Sequence, residues 1–150
     1  HDLVYLDFQI RMACLLTKMP INVICKPHPE GLLRGQIHPV TPYAPTSTLP
    51  FEKHMDETDI FVFDYTRSTS TWKALCTDRR VVLIDLGLYI YTDYVKPYIK
   101  QRCRIVAAEF DDRGRVQIIP EELEEAILGK GPKPDPTWFR QQFLEPEYAS

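Results

Sequence analysis

The sequence predicts an α/β domain, a Rossmann-like three-layer arrangement around a mostly parallel sheet. Two observations lead there. Short apolar runs rich in β-branched and aromatic residues occupy positions 21–25, 60–63, 81–86 and 104–107, and strands that are apolar throughout belong to sheets covered on both faces. Segments with helical spacing or helix-opening residues lie between them, and alternation of strand and helix favours parallel pairing. At 150 residues with 44% hydrophobic content, the chain can bury one core. It therefore reads as one domain over 1–150, with a linker and closing helix over 132–150.

Leu3, Leu6, Ile10, Ala13 and Leu16 recur at helical spacing, which predicts an amphipathic helix over 3–18. The chain opens directly in this helix, and the expectation is a domain cut from a longer polypeptide. Pro20 ends the helix, a strand is predicted over 21–25, and a helical turn over 30–34. Pro39, Pro42, Pro45 and Pro50 mark an irregular loop, followed by a short helix over 51–55. The strand at 60–63 leads to a helix over 70–76, and 81–86 is a third strand ending in an acid and Gly87. Residues 89–102 read as part helix, interrupted at Pro97. A strand over 104–107, a turn over 111–114 and an extended piece over 116–119 follow. A helix opened by Pro120 and two acids then runs to the glycines at 129 and 131. Three prolines at 132, 134 and 136 form the linker before the closing helix at 138–144.

The net charge of −3 does not suit a nucleic-acid binder. No apolar segment reaches membrane-spanning length. Cys14, Cys25, Cys76 and Cys103 form no C-x-x-C pair. They read as buried free thiols in a reducing cytoplasm, and no ligand pair has zinc spacing. Neither G-x-G-x-x-G nor a P-loop is present, which disfavours a nicotinamide dehydrogenase and a P-loop ATPase.

Two strand ends carry the candidate site. After the strand at 60–63 come Asp64, Tyr65, Thr66, Arg67, Ser68, Thr69, Ser70 and Thr71. A strand emptying into a hydroxyl-rich helix start offers free amide donors and a favourable dipole to a phosphate. Arg67 adds a phosphate-pairing cation. The commoner role of such a cluster is only a helix cap. After the strand at 21–25 come Lys26 and His28, held between prolines. Ligands of open α/β sheets bind beyond the carboxyl ends of strands, so the two segments are expected to line one crevice. His38 and His54 fall in loops without a ligand pattern.

Lys26-Pro27-His28-Pro29 resembles the K-x-H-P element of the CDP-glycerol glycerophosphotransferase group and related capsule polysaccharide glycosyltransferases. The stretch from Asp64 to Ser70 resembles that group's T-D-Y-S-S element, which also follows a strand and opens a helix. The resemblance spans roughly residues 20–90, by the motif order. Phe63 stands where the family usually has Thr, and Arg67 interrupts the hydroxyl run.

The resemblance implies a GT-B fold, two Rossmann-like domains facing across a cleft, with this chain as the C-terminal, donor-binding half. It implies that His28, the catalytic candidate, and Ser68 to Ser70 face the donor diphosphate, with Asp64 supporting the turn or the sugar side. Lys26, Arg67, Thr69 and Thr71 complete the expected diphosphate site. No cofactor or metal is expected; the substrate would be a CDP- or UDP-linked sugar or glycerol. The catalytic base would come from the N-terminal domain of the same polypeptide, so this half alone would turn over little. Expected work is surface polysaccharide biosynthesis in the cytoplasm, at the inner face of the membrane if the remaining part associates with it. Two alternatives stand beside it: half of a nucleotide-sugar 2-epimerase, and a non-catalytic phosphate-binding or protein-interaction module using Tyr89, Tyr91 and Tyr94.

Overall fold

The computed structural model describes residues 2–27, 37–87 and 91–143. The helical turn expected at 30–34, together with His28 and Tyr89, lies outside the described residues. The protein is α/β, with a four-stranded sheet in the order β1-β2-β3-β4. These strands are β1 (Ile60–Phe63), β2 (Arg80–Asp85), β3 (Arg104–Phe110) and β4 (Val116–Ile118). β1 pairs with β2 in parallel, Ile60 opposite Arg80, and β2 with β3 in parallel, Val82 opposite Arg104. The sheet as a whole is mixed. Among the described residues the helices are α1 (Asp2–Thr17), α2 (Thr69–Leu75), α3 (Lys96–Arg102), α4 (Pro120–Leu128) and α5 (Thr137–Phe143).

The chain forms two compact units, one of residues 1–54 and 110–117, the other of 55–109 and 118–150. In the first, α1 buries Phe8, Met12, Ala13 and Leu16; of the residues whose spacing predicted its buried face only Ala13 and Leu16 are buried, Leu6 and Ile10 are half-buried and Leu3 is 80% exposed. Ala13 packs with Val40 and Ala44 of the proline-rich loop. Asp7 accepts from Arg11 and Arg115. Arg115's hydrogen bond leads the causes that hold the Asp7 carboxyl below its ordinary range, and Arg11 adds to it.

Residues 21–25 correct the sequence reading. They form no strand of the sheet; Cys25 makes a single parallel bridge to Thr46, with Cys25 N–H donating to Pro45 O and Ser47 N–H to Cys25 O. The run is bracketed by Pro20 and Pro27, which lack the donor a ladder needs. Ile24 is 57% exposed, so its apolar character does not report burial. Phe51 to Lys53 form only a 3-10 turn.

In the second unit β2 is the central strand of the three parallel ones. Val81, Val82, Leu83 and Ile84 are all buried, so both of its faces are covered. On β3 burial instead alternates, with Ile105 exposed and Val106 buried. Coverage of both faces, expected for every strand, thus holds for β2 and not for β3. Pro97 does not interrupt a helix; it sits in the first turn of α3, where its missing N–H has no intrahelical partner to lose. Phe139 of α5 is buried, Trp138 stacks on Tyr98 with centroids 4.0 Å apart, and Phe143 meets Trp72 of α2.

Arg102 ends α3 and is 4% exposed. Its Nε donates to Leu75 O, and its Nη2 to the carbonyls of Ala74, Thr77 and Arg79. Arg140 Nε adds a bond to Cys76 O. The C-terminal carbonyls of a helix have no intrahelical partner and carry its negative dipole end, so a cation there stabilises them twice over. Of the four thiols, all free, Cys76 and Cys103 are buried and Cys14 and Cys25 only partly so, which narrows the expectation of four buried thiols.

Removing the Arg102 guanidinium should leave several carbonyls unpaired. Arg102→Ala is expected to lower stability by about 3 kcal/mol and Arg140→Ala by about 1 kcal/mol. Both tryptophans, Trp72 and Trp138, lie in this unit, so their fluorescence during urea unfolding reads the difference. Equal midpoints for Arg102→Ala and wild type would refute the assigned role.

Burial pushes the Cys103 thiol up from its ordinary 9.0 to about 12. The folded state then keeps a proton that the unfolded state releases. Stability is full below pH 9.0 and falls as pH rises toward about 12, by up to about 1.4 kcal/mol per pH unit. Cys103→Ala should flatten that alkaline slope in denaturant titrations at stepped pH; an unchanged slope would contradict it.

Candidate functional site

β1 ends at Phe63, and the chain turns through Asp64 to Ser68 into α2. Ser68 has an extended backbone and is the N-cap: its Oγ accepts from Thr71 N–H at 3.1 Å. The Ser68 and Thr71 hydroxyls lie 2.9 Å apart, and Thr71 Oγ1 donates to Tyr65 O at 3.1 Å. Thr71 is buried. The two outer hydroxyls of the run therefore hold the turn in shape. Thr69 is exposed and Ser70 half-buried in the first turn of α2, and the amides of these two residues have no acceptor within the helix. Arg67 is exposed and Asp64 half-buried beside them.

Lys26 is exposed and belongs to the first compact unit, whereas Asp64, Arg67, Ser68, Thr69, Ser70 and Thr71 belong to the second. The structure brings this second group together at the carboxyl end of β1. The expected convergence with His28 lies outside the described residues.

A cavity of about 230 Å³ opens at the carboxyl end of β2 in the same unit. Leu83, Ile84, Ile99 and Ile105 supply its apolar lining, and Thr66, Asp85, Tyr91, Lys96 and Lys100 its polar groups. Thr66 is 5% exposed, and its Oγ1 is buried. The Tyr91 phenol is pushed up by burial, an effect partly offset by a hydrogen bond with the Thr66 side chain. Asp85 Oδ1 accepts from Gly87 N–H at 2.8 Å. Gly87 has φ +69°, which suits glycine at the turn that frees the strand end.

Sequence reasoning placed Thr66 in the turn but not in the site, and it missed Lys96 and Lys100. Their spacing of four on one helix was the available signal; the reading that Pro97 breaks the helix concealed it. His38 Nδ1 accepts from Val40 N–H, and His54 Nε2 pairs with Ser47 Oγ at 2.7 Å. Among the described residues no cluster of three or more His, Cys, Asp or Glu could hold a metal ion, and no helix is long and apolar enough to cross a membrane.

With this geometry in view, comparison with known proteins adds no relative: no family model, curated protein or solved structure matches the chain.

The capping role and a ligand role separate by measurement. Ser68→Ala should cost about 1 kcal/mol of stability, read as a lower urea midpoint. Thr69→Ala, at an exposed hydroxyl, should shift that midpoint by less than about 0.5 kcal/mol. The reverse order would mean that Ser68 does not cap α2.

Proposed function

We propose that the chain is the donor-binding half of a glycosyl- or glycerophosphotransferase of the GT-B kind, taking a CDP- or UDP-linked donor. One observation carries this reading. The Asp64–Thr71 segment lies where a parallel strand ends, pinned by Ser68 and Thr71, with Thr69, Ser70 and Arg67 around the helix start. Carboxyl ends of parallel strands are where open α/β sheets hold ligands. The Rossmann-like half-fold belongs to the same proposal; the four-stranded α/β sheet is compatible with it.

In this reading the turn stabilises charge that develops on the departing nucleotide diphosphate. Amides of the first helical turn, the Thr69 and Ser70 hydroxyls, and the Arg67 guanidinium are donors that oxyanions accept from. His28 and Lys26 would act on the same diphosphate, and the acceptor's proton would go to a base in the partner domain of the full polypeptide. Work in polysaccharide biosynthesis at the cytoplasmic side of a membrane extends the same proposal. An epimerase half would bind UDP-sugars without acceptor dependence in the full protein, and an interaction module would bind no nucleotide.

Calorimetric titration with CDP and UDP tests it. Binding should be weak, and Ser70→Ala or Arg67→Ala should each weaken it by about 1–3 kcal/mol. The loss on Lys26→Ala should shrink in high salt, since an exposed charge acts through a screened field. Absence of nucleotide binding, or equal affinity in wild type and the two turn variants, would overturn the reading.

A further inference from the structure

We propose that the cleft between α3 and α5 binds a neutral saccharide, seating one pyranose ring on an aromatic shelf. Tyr98 and Gln101 of α3 and Trp138 and Gln141 of α5 line it, all within the second compact unit. None of Asp64, Arg67 or Ser68 to Thr71 does, so the site does not depend on the donor reading. Its volume of about 270 Å³ lies under the roughly 300–1,000 Å³ of pockets that enclose larger ligands. A single sugar ring suits it, with any further rings of a chain outside.

The lining specifies the chemistry. Tyr98 and Trp138 are half-buried and stack with centroids 4.0 Å apart and planes 11° apart. Tyr94, 66% exposed, leans on both at 5.9 and 6.2 Å. The buried Phe139 braces Trp138 edge-on at 4.8 Å. The shelf is thus set before a ligand arrives, which spares the cost of ordering it on binding. Aromatic faces carry partial negative charge, and the C–H bonds on one face of a pyranose carry the complementary partial positive charge. Polar groups that the fold does not use stand around the rings. Gln101 and Gln141 are exposed, and neither their amides nor the Tyr98 hydroxyl nor the Trp138 indole N–H has a hydrogen-bond partner among the described residues. Asp135, also in the lining, accepts both Thr137 bonds through Oδ1 and keeps Oδ2. Amides and a phenol both donate and accept, an indole donates and a carboxylate accepts, which is the mixture that vicinal hydroxyls need. The charged groups of the lining are Arg102 and Asp135, one of each sign. Arg102 Nε and Nη2 are committed to four carbonyls. Asp78 and Arg140, whose charges act on Arg102 from outside the lining, are again one of each sign. A balanced lining gives an ion no advantage. A flat base finds no slot between the rings, because Tyr98 and Trp138 close it on each other.

The test is titration of the 150-residue chain with cellotetraose, maltotetraose and galactobiose, followed through the tryptophan indole N–H signals by NMR. At least one sugar should saturate, moving the Trp138 signal and leaving that of Trp72, which is not in the lining, in place. Gln101→Ala and Gln141→Ala should each weaken binding about threefold or more, and Trp138→Ala about tenfold or more, while Ser70→Ala leaves it unchanged. Because both glutamines are exposed, their replacement tests the site without endangering the fold. No saturation by any of the three sugars at about 10 mM, indifference to both glutamine variants, or movement of Trp72 without Trp138 would overturn the proposal. Uridine or a polyproline peptide moving Trp138 where the sugars do not would overturn it too, by making the shelf a base or a peptide site. Loss of CDP binding in Ser70→Ala with saccharide binding intact would keep the two sites distinct. Saccharide binding by a chain that takes no CDP would uphold this site while the donor reading falls.

Discussion

Arg102 closes α3 one residue before β3 approaches, and its Nε and Nη2 donate to four carbonyls at the end of α2 and in the following turn. A helix of seven residues is too short to persist alone; its end must be satisfied by something else in the fold. The arginine does this from inside the unit, where a hydrogen bond to a charged donor is worth more than in water. It sets the loop from Cys76 to Arg79 and so the point at which β2 begins. The opposite end of β2 is where Asp85 and the cavity lie, so their placement is inherited from this contact. The same anchoring extends to α5 through Arg140 and the Cys76 carbonyl.

The hydroxyl-rich turn illustrates how one composition serves two purposes. Ser68 and Thr71 look no different in sequence from Thr69 and Ser70. The helix geometry separates them: the N-cap and the third residue after it face each other, and their hydroxyls are drawn into the cap and the Tyr65 carbonyl. Of the two between them, Thr69 is exposed and Ser70 half-buried. A rigid turn with such donors is what pre-organised anion recognition requires, and capping and ligand binding are therefore compatible roles of one segment rather than rivals. In the proposed donor site, the first pair would hold the frame and the second would meet the ligand.

The first unit rests on different physics. Its proline-rich loop lacks regular ladders, and its order comes from Ala13, Val40 and Ala44 packing together, from the Cys25–Thr46 bridge, and from charged side chains. Asp111 accepts from the amides of Arg113 and Arg115 and from the Gln117 side chain, closing the turn between β3 and β4 with one carboxylate. Those local bonds hold the Asp111 carboxyl below its ordinary range, the Arg115 amide foremost.

Local sequence alone determined β1, β2 and β3, the proline-opened α4 and the cap-bearing start of α2, because each is written in neighbouring residues: uninterrupted apolar runs, a proline followed by acids, a serine before a helix. It also marked Asp64 to Thr71 as a candidate site, since strand-to-helix junctions carry their own donors. Tertiary structure decided the rest. Residues 21–25 are apolar but for Asn22, yet an apolar run becomes a sheet strand only where a neighbour pairs with it, and prolines on either side leave Cys25 a single bridge. Pro97 could end a helix or open one; the observed α3 starts at Lys96, and the proline's missing amide falls where no partner is lost. Thr66, Asp85, Tyr91, Lys96 and Lys100 are spread over 35 positions, as their numbers show, and no local pattern joins them. They line one cavity because parallel pairing aligns strand ends that the sequence keeps far apart.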